Sequence, residues 1–218
     1  MKNILITGGG GYIGTNLTKE LLNEGYNVTV IDTFWFGNYL EKNKKLKIIK
    51  KDIRNILKKD LNKIDCIMHL ASIANDPAAE LDARLTWDVN VLATYKLINL
   101  AIIQKVKKFI FASSGSVYGI KKEKKVVENL SLEPISEYNK SKMIGERVLL
   151  SYKKNIDITI LRPATVCGYS PAMRLGVAIN ALTFGALQNN LITVYGGKQI
   201  RPNLTMFDMI SAYKFSLK

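Results

Sequence analysis

Histidine occurs once in this 218-residue chain and cysteine twice, too few ligands for a structural zinc site or a disulfide framework. Cys66 and Cys167 lie within apolar stretches and lack metal-type spacing, so both are expected as reduced structural thiols, and no metal is expected. No apolar run approaches the ~18 residues of a membrane-crossing helix. Met1-Lys2 leads straight into Asn3-Ile4-Leu5-Ile6-Thr7, without a cleavable signal pattern, and a soluble, cytoplasmic protein is the expectation. Acidic residues are scarce as well, 18 against 32 basic ones, for a formal charge of +14. The lysines are spread along the chain, with small clusters at Lys42 to Lys51, Lys105 to Lys108 and Lys121 to Lys125, and no aromatics interleave them. That pattern reads as a solvated surface that partly steers anionic small molecules, with neither nucleic acid nor membrane as partner.

What is present is enough apolar content, 47%, to build a substantial core. Short β-branched runs predict strands at Lys2 to Thr7, Asn27 to Asp32, Leu46 to Lys50, Ile64 to Ala71, Lys108 to Ala112 and Asp157 to Leu161. Helical spacing predicts helices at Tyr12 to Glu24, Ala78 to Gln104 and Glu137 to Lys153. Strands alternating with helices imply an α/β fold of the Rossmann type, a doubly wound parallel sheet covered on both faces. Beyond Arg162-Pro163 the alternation weakens, with a helix expected over Ala172 to Asn189 and a strand over Leu191 to Tyr195. The expected division is a dinucleotide-binding domain over residues 1–164 and a small, partial substrate-binding region over 165–218. Lys121 to Glu133 reads as a surface loop.

The first strand ends in Thr7-Gly8-Gly9-Gly10-Gly11-Tyr12-Ile13-Gly14. Glycines let the backbone turn tightly and approach a pyrophosphate, whose charge is favoured by the helix N-terminus behind it. Asp32, 18 residues past Gly14 at the end of the second strand, is placed to accept from both hydroxyls of an adenosine ribose and to repel a 2'-phosphate. NAD is therefore the expected cofactor.

Tyr138 and Lys142 stand one helical turn apart, downstream of Ser114. A phenol that titrates near ~10 accepts a proton from a hydroxyl only when a cation stabilises its anion, and an ammonium at i+4 can supply that charge. A second Tyr-x-x-x-Lys, Tyr118 with Lys122, falls where Gly119 and a charged run predict a loop that does not enforce the geometry. Pro134 and Ser136 precede Tyr138, and an amphipathic helical pattern follows it.

Taken together, Gly8-x-x-Gly11-x-x-Gly14, Asp52-Ile53, His69-Leu70-Ala71, Asn90, Ser113 to Gly119, Tyr138-x-x-x-Lys142 and Leu161-Arg162-Pro163 resemble the extended short-chain dehydrogenase/reductases. Within them the chain is most similar to the NAD-dependent nucleotide-sugar epimerase/dehydratase group, of the UDP-glucose 4-epimerase type. The resemblance implies Tyr138 as the acid/base, Lys142 as the group that lowers its pKa and holds the nicotinamide ribose, and Ser114 as a hydrogen-bond partner of the reacting oxygen. It places Gly8, Gly11, Tyr12, Ile13, Gly14 and Asp32 around the dinucleotide, and Asp52 with Ile53 beside the adenine. Leu70 and Ala71 would line the cofactor channel, with Asn90 beneath the nicotinamide. On the substrate side it points to Thr165, to Asn180 at the nucleotide diphosphate, to Tyr195-Gly196-Gly197 beside the base, and to Arg201-Pro202 with Asp208 as a closing motif. A guanidinium such as Arg201 suits phosphate oxygens. His69 is expected to order structure, not to transfer protons.

There are departures. Thr165 stands where many such epimerases carry Asn, and Thr205 where a His is common. Gly115-Ser116 replace the Asp-Glu of dehydratases, and the Cys that reductase-epimerases place at Ser116 is absent, with Cys167 no substitute. Relatives continue past the Asp208 motif, which leaves an abbreviated lobe, a partner's contribution or a truncated sequence as alternatives. The expectation is an NAD-dependent epimerase of a nucleotide sugar, acting at C4 through a transient keto sugar, in a homodimer built on the helices at Ala78 and Tyr138. The alternatives are a sugar or alcohol oxidoreductase with exchangeable NAD(H), and a non-catalytic dinucleotide-binding protein.

Overall fold

A computed structural model describes all 218 residues. Strands β1 (Asn3–Thr7), β2 (Asn27–Asp32), β3 (Leu46–Lys50), β4 (Cys66–His69), β5 (Lys108–Ala112) and β6 (Asp157–Leu161) form one sheet in the order β3-β2-β1-β4-β5-β6, every pair parallel. Side chains alternate across the pleat. Leu5, Ile31, Ile67, Phe109 and Phe111 enter one core, while Ile4, Ile6, Val28, Val30, Met68 and Ile110 enter the other. Helices α4 (Ala93–Ile103) and α5 (Glu137–Leu150) cover the first core through Leu97, Ile98 and Leu149. Helix α1 (Tyr12–Asn23) covers the second through Leu17 and Leu21, joined there by the last helix of the chain, Met206–Phe215, through Met209, Ile210 and Tyr213. That last helix, expected with the substrate region, thus completes the core of the dinucleotide domain.

The strand order reverses direction between β1 and β4, and a crevice opens there at the carboxyl ends of the strands. It is closed tightly enough that a Cβ on Gly8 would lie 2.6 Å from the Ala71 nitrogen, and Gly8 takes φ +75. A Cβ on Gly14 would lie 2.2 Å from the Gly8 carbonyl oxygen. Only glycine lets helix α1 start this close to the turn.

The continuous helix expected over Ala78 to Gln104 is broken. Asp82 is extended and its carboxylate accepts from Leu85 N at 2.8 Å, which ends α2 (Asp76–Leu81) and caps α3 (Ala83–Trp87). A π turn then spans Asp88–Leu92 before α4. The expected helix over Ala172 to Asn189 begins only at Ala178, as α6 (Ala178–Asn189). No strand forms over 191–195; instead β7 (Thr165–Cys167) pairs in parallel with β8 (Asn203–Thr205), directly ahead of α7 (Met206–Phe215). Thr205 caps α7, its Oγ1 accepting from Asp208 N at 3.1 Å and donating to Asp208 Oδ2 at 2.7 Å. The closing motif at Asp208 therefore serves as a helix cap here.

Eight of the lysines spread along the sequence are gathered in space. Lys2, Lys44, Lys45, Lys63, Lys105, Lys107, Lys153 and Lys154 are exposed, and each lies just ahead of one of five strands. Because all strands are parallel, these eight meet at the end of the sheet opposite the crevice. These eight therefore do not draw anions toward the crevice.

Candidate active site

The crevice is built by the ends of β1, β2, β4 and β5 and by the start of α5. Ser136 caps α5, its Oγ accepting from Asn139 N at 3.2 Å, and this places Tyr138 and Lys142 on the face that turns toward the sheet. Lys142 is 2% exposed; its Nζ donates to the Ala112 carbonyl at 2.8 Å and sits 5.8 Å from the Tyr138 ring centre and 5.1 Å from that of Phe111. Ser114 accepts from Ser116 N at 3.2 Å and lies against the Tyr138 hydroxyl, so the structure brings Ser114, Tyr138 and Lys142 together. Ser116 Oγ, 2.7 Å from Ser114 Oγ, donates to Asn139 Oδ1 at 2.5 Å and fixes the serine turn against α5.

The electrostatics differ from the sequence expectation. Burial pushes the Tyr138 phenol above its ordinary value, with Ser114 and Arg174 pulling it down and Asp76 pushing it up. Burial also drives Lys142 down to about 7, opposed by the charge of Glu146. Lys142 sits over the tyrosine ring, yet the phenol stays above its ordinary value, and the cation that opposes the rise is Arg174, which the sequence reading missed. Low dielectric disfavours both charges separately. The phenolate–ammonium form has the same net charge as the neutral pair and differs only by one proton moved from phenol to amine.

Glu146, one further turn along α5 and 1% exposed, receives Arg162 through Nε at 2.9 Å and Nη2 at 2.6 Å. Ser113 also donates to it, and Arg162 Nη1 donates to the Tyr118 hydroxyl at 2.8 Å. Tyr118, of the second Tyr-x-x-x-Lys, is thereby committed to Arg162 while Lys122 stands exposed. This ion pair was not picked out from sequence; the helical spacing of Lys142 and Glu146 points only to those two lying near each other.

On the dinucleotide side, Asp32 accepts from Gly10 N at 2.9 Å and Phe34 N at 2.7 Å, tying the glycine turn to the end of β2. Gly11 precedes the first turn of α1, which carries Ile13 and Gly14 beside the turn. Asp52 caps a short 3-10 turn and binds Arg54, whose guanidinium is the main cause holding its carboxyl below the ordinary value; the Ile53 side chain is in the core. Leu70 and Ala71 back onto Gly8. Asn90 is buried in the π turn, where Oδ1 accepts from Ile73 N at 2.8 Å and Nδ2 donates to Ile73 O at 3.0 Å and Ser141 Oγ at 2.9 Å. It fixes the loop after β4 to α5.

His69 is buried between two hydroxyls, Thr7 Oγ1 at 2.6 Å from Nδ1 and Thr94 Oγ1 at 2.8 Å from Nε2. Thr94 gives its proton to the Asn90 carbonyl, so Nε2 carries the imidazole proton. Burial lowers its pKa to about 3. It orders structure, through side-chain hydroxyls.

The substrate-side residues scatter. Asn180, 5% exposed, accepts from Gly168 N at 3.0 Å and donates to Tyr12 Oη at 3.0 Å and Arg174 O at 2.9 Å. Both amide protons are thereby used, so in this geometry Asn180 anchors the 168–174 loop to Tyr12 and has no donor left for a diphosphate. Thr165 is half-buried in β7. Tyr195 is 86% exposed and Arg201 is exposed, both on the irregular stretch between α6 and β8, and neither side chain is hydrogen-bonded to a residue of the crevice. Cys66 and Cys167 are both free, and burial raises the Cys66 thiol to about 12. No group of histidine, cysteine and acidic side chains is arranged to hold a metal, and no helix is long and apolar enough to cross a membrane.

The sequence pattern of the NAD dependent epimerase/dehydratase family matches residues 4–218. The chain is 29% identical over 236 residues to a UDP-glucose 4-epimerase of Lactobacillus helveticus, an alignment that takes in 99% of this chain and 72% of that one. Among solved structures it resembles the UDP-glucuronic acid 4-epimerase of Bacillus cereus in complex with UDP-glucuronic acid and NAD, with TM-score 0.90 and 34% identity over 99% of this chain and 73% of that one. It also resembles the UDP-N-acetylglucosamine 4-epimerase of Methanobrevibacter ruminantium in complex with UDP-N-acetylmuramic acid, with TM-score 0.92 and 29% identity over 99% and 72%.

Proposed function

This chain belongs to the NAD dependent epimerase/dehydratase family, and on that premise we propose that it inverts a nucleotide sugar at C4 through a transient 4-keto intermediate. The observation that carries this reading is the meeting of Ser114, Tyr138 and Lys142 at the mouth of a glycine crevice that fits a dinucleotide. The absence of the acidic pair at Gly115-Ser116 disfavours dehydration, because elimination of water needs a proton donor and a base at the ring. The names of the relatives and of the solved neighbours support a UDP-sugar 4-epimerase.

The backbone of Gly8, Gly11, Tyr12, Ile13 and Gly14 would hold the pyrophosphate of NAD at the start of α1. Asp32 would hold the adenosine ribose, Asp52 and Ile53 would flank the adenine, and Leu70 and Ala71 would line the channel. Bound NAD supplies reversible hydride storage. Within the chain's own residues, Tyr138 takes the proton of the C4 hydroxyl and returns it, and Ser114 donates to the reacting oxygen. Lys142 accepts the phenol proton when the pair becomes a zwitterion and binds the nicotinamide ribose. Asn90 is a positioning group that keeps the loop after β4 in register with α5, and His69 ties β4 to β1 and α4 through Thr7 and Thr94.

Within residues 165–218 the part ahead of α7 contributes the substrate side, a homodimer forms through α4 and α5, and the protein works in the cytoplasm. Incubation with NAD and UDP-, GDP- and dTDP-hexoses, followed by NMR of the sugar, tests the activity; retention of configuration in every one would sink it. Net appearance of NADH would instead identify an oxidoreductase.

A further inference from the structure

The eight lysines at the end of the sheet opposite the crevice span its whole width, from Lys44 and Lys45 ahead of β3 to Lys153 and Lys154 ahead of β6. With six strands about 4.8 Å apart, that width is roughly 24 Å. None of the eight forms a salt bridge. The carboxylates beside them are already engaged: Glu24 with Lys214, Asp157 with Lys108, and Asp65 with the backbone N–H groups of Lys2 and Asn3. Helices α1, α4, α5 and α7 end at this face, and one cation at each would meet their dipoles, a need that eight exceed. Two of the lysines also sit where the side chain is strained. Lys63 and Lys105 hold φ +61 and +56, left-handed positions that glycine fills without cost.

A single phosphate or nucleotide reaches only a few ammonium groups spread over such a width, so the matching partner is itself extended and anionic. No arginine is among the eight, and the face therefore lacks the planar fork that reads base edges or grips phosphates bidentately. Ile103 and Phe215, the last residues of α4 and α7, are exposed at the same face. Apolar side chains gain nothing from a nucleic-acid backbone. They do enter the boundary between headgroups and acyl chains of a bilayer, while lysines beside them meet anionic headgroups. We propose that this face docks the protein on an anionic lipid surface, as a peripheral, salt-sensitive contact. Dispersed along the sequence, the lysines argue against a membrane partner; converged in space, they reverse that expectation. Nothing in this surface depends on the nucleotide-sugar reading of the crevice.

The test is co-sedimentation of the full chain with vesicles of phosphatidylcholine alone or with about one-third phosphatidylglycerol, at about 50 mM and about 500 mM salt. Two triple variants remove the same charge: Lys105→Gln with Lys153→Gln and Lys154→Gln at the face, and Lys122→Gln with Lys124→Gln and Lys125→Gln in the exposed loop after Tyr118. Wild type is expected to bind the anionic vesicles at low salt only and to leave the neutral ones unbound. The face triple is expected to weaken that binding about 100-fold, and the loop triple to stay within about threefold of wild type. Equal weakening by the two triples would reduce the effect to net charge and overturn the proposal. Wild type that remains in the supernatant with anionic vesicles would overturn it as well, and a mobility shift of a short DNA duplex in that case would assign the face to nucleic acid. No sugar nucleotide enters the assay, so neither outcome touches the reading of the crevice. Thermal midpoints equal to wild type show that both triples fold.

Discussion

Glu146 and Arg162 form a bidentate ion pair directly behind Lys142, with Nη2 to Oε2 at 2.6 Å and Nε to Oε1 at 2.9 Å. Ser113 and Tyr118, the two ends of the serine turn that carries Ser114, are bonded to the same pair. One buried cluster therefore supports both the lysine and the serine of the proposed site. Removing one partner leaves the other charge buried and unpaired. Glu146→Ala is expected to destabilise the protein by about 3–5 kcal/mol in urea unfolding, and Glu146→Leu combined with Arg162→Met by much less.

Tyr138→Phe removes the oxygen proposed to take the substrate proton and leaves the ring in place. Turnover is expected to fall about 100-fold to 10,000-fold, with NAD binding unchanged. Steady-state epimerisation by NMR, together with cofactor titration, checks both halves.

Asp32, proposed to hold the adenosine ribose, ties down Gly10 and Phe34. Asp32→Asn keeps one acceptor and loses the charge, so NAD affinity is expected to drop and the preference over NADP to shrink by about 10-fold or more. Parallel calorimetric titrations with the two dinucleotides give the ratio directly.

Stability should follow the titration of His69. Its folded pKa is about 3 against an ordinary 6.5. In the window between those values the unfolded chain takes up a proton that the folded chain refuses. Stability therefore rises with pH there and is lost as pH falls from 6.5 toward about 3, with a slope of up to about 1.4 kcal/mol per pH unit. His69→Gln should show a flatter profile between pH 6 and 4. Equal slopes in wild type and variant would refute the assignment.

Gly14→Ala places a methyl 2.2 Å from the Gly8 carbonyl oxygen and 2.7 Å from the Gly9 Cα, both backbone atoms that cannot swing aside. Loss of NAD binding is the expected outcome, together with a lowered thermal midpoint.

The sheet and the dinucleotide crevice were legible in the sequence because they depend on local signals. β2, β3, β5 and β6 begin and end where their apolar runs do. The glycine turn, Asp32 and the Tyr138 helix carry their own geometry. What sequence did not reveal depends on contacts across long separations. Asn180 anchors Tyr12 from 168 residues away, and Arg174 reaches Ala74 from 100 away. The break at Asp82 and the π turn at Asn90 follow from side-chain bonds that helical periodicity does not register. The depressed Lys142 and raised Tyr138 follow from burial, which no spacing rule supplies.

The eight lysines at the amino ends of the strands give the molecule a positive pole facing away from its cofactor cleft. A sulfonated resin or any polyanionic support would adsorb it by that pole at low ionic strength. The immobilised protein would then present its opening to the bulk solution, so that capture and substrate access do not compete.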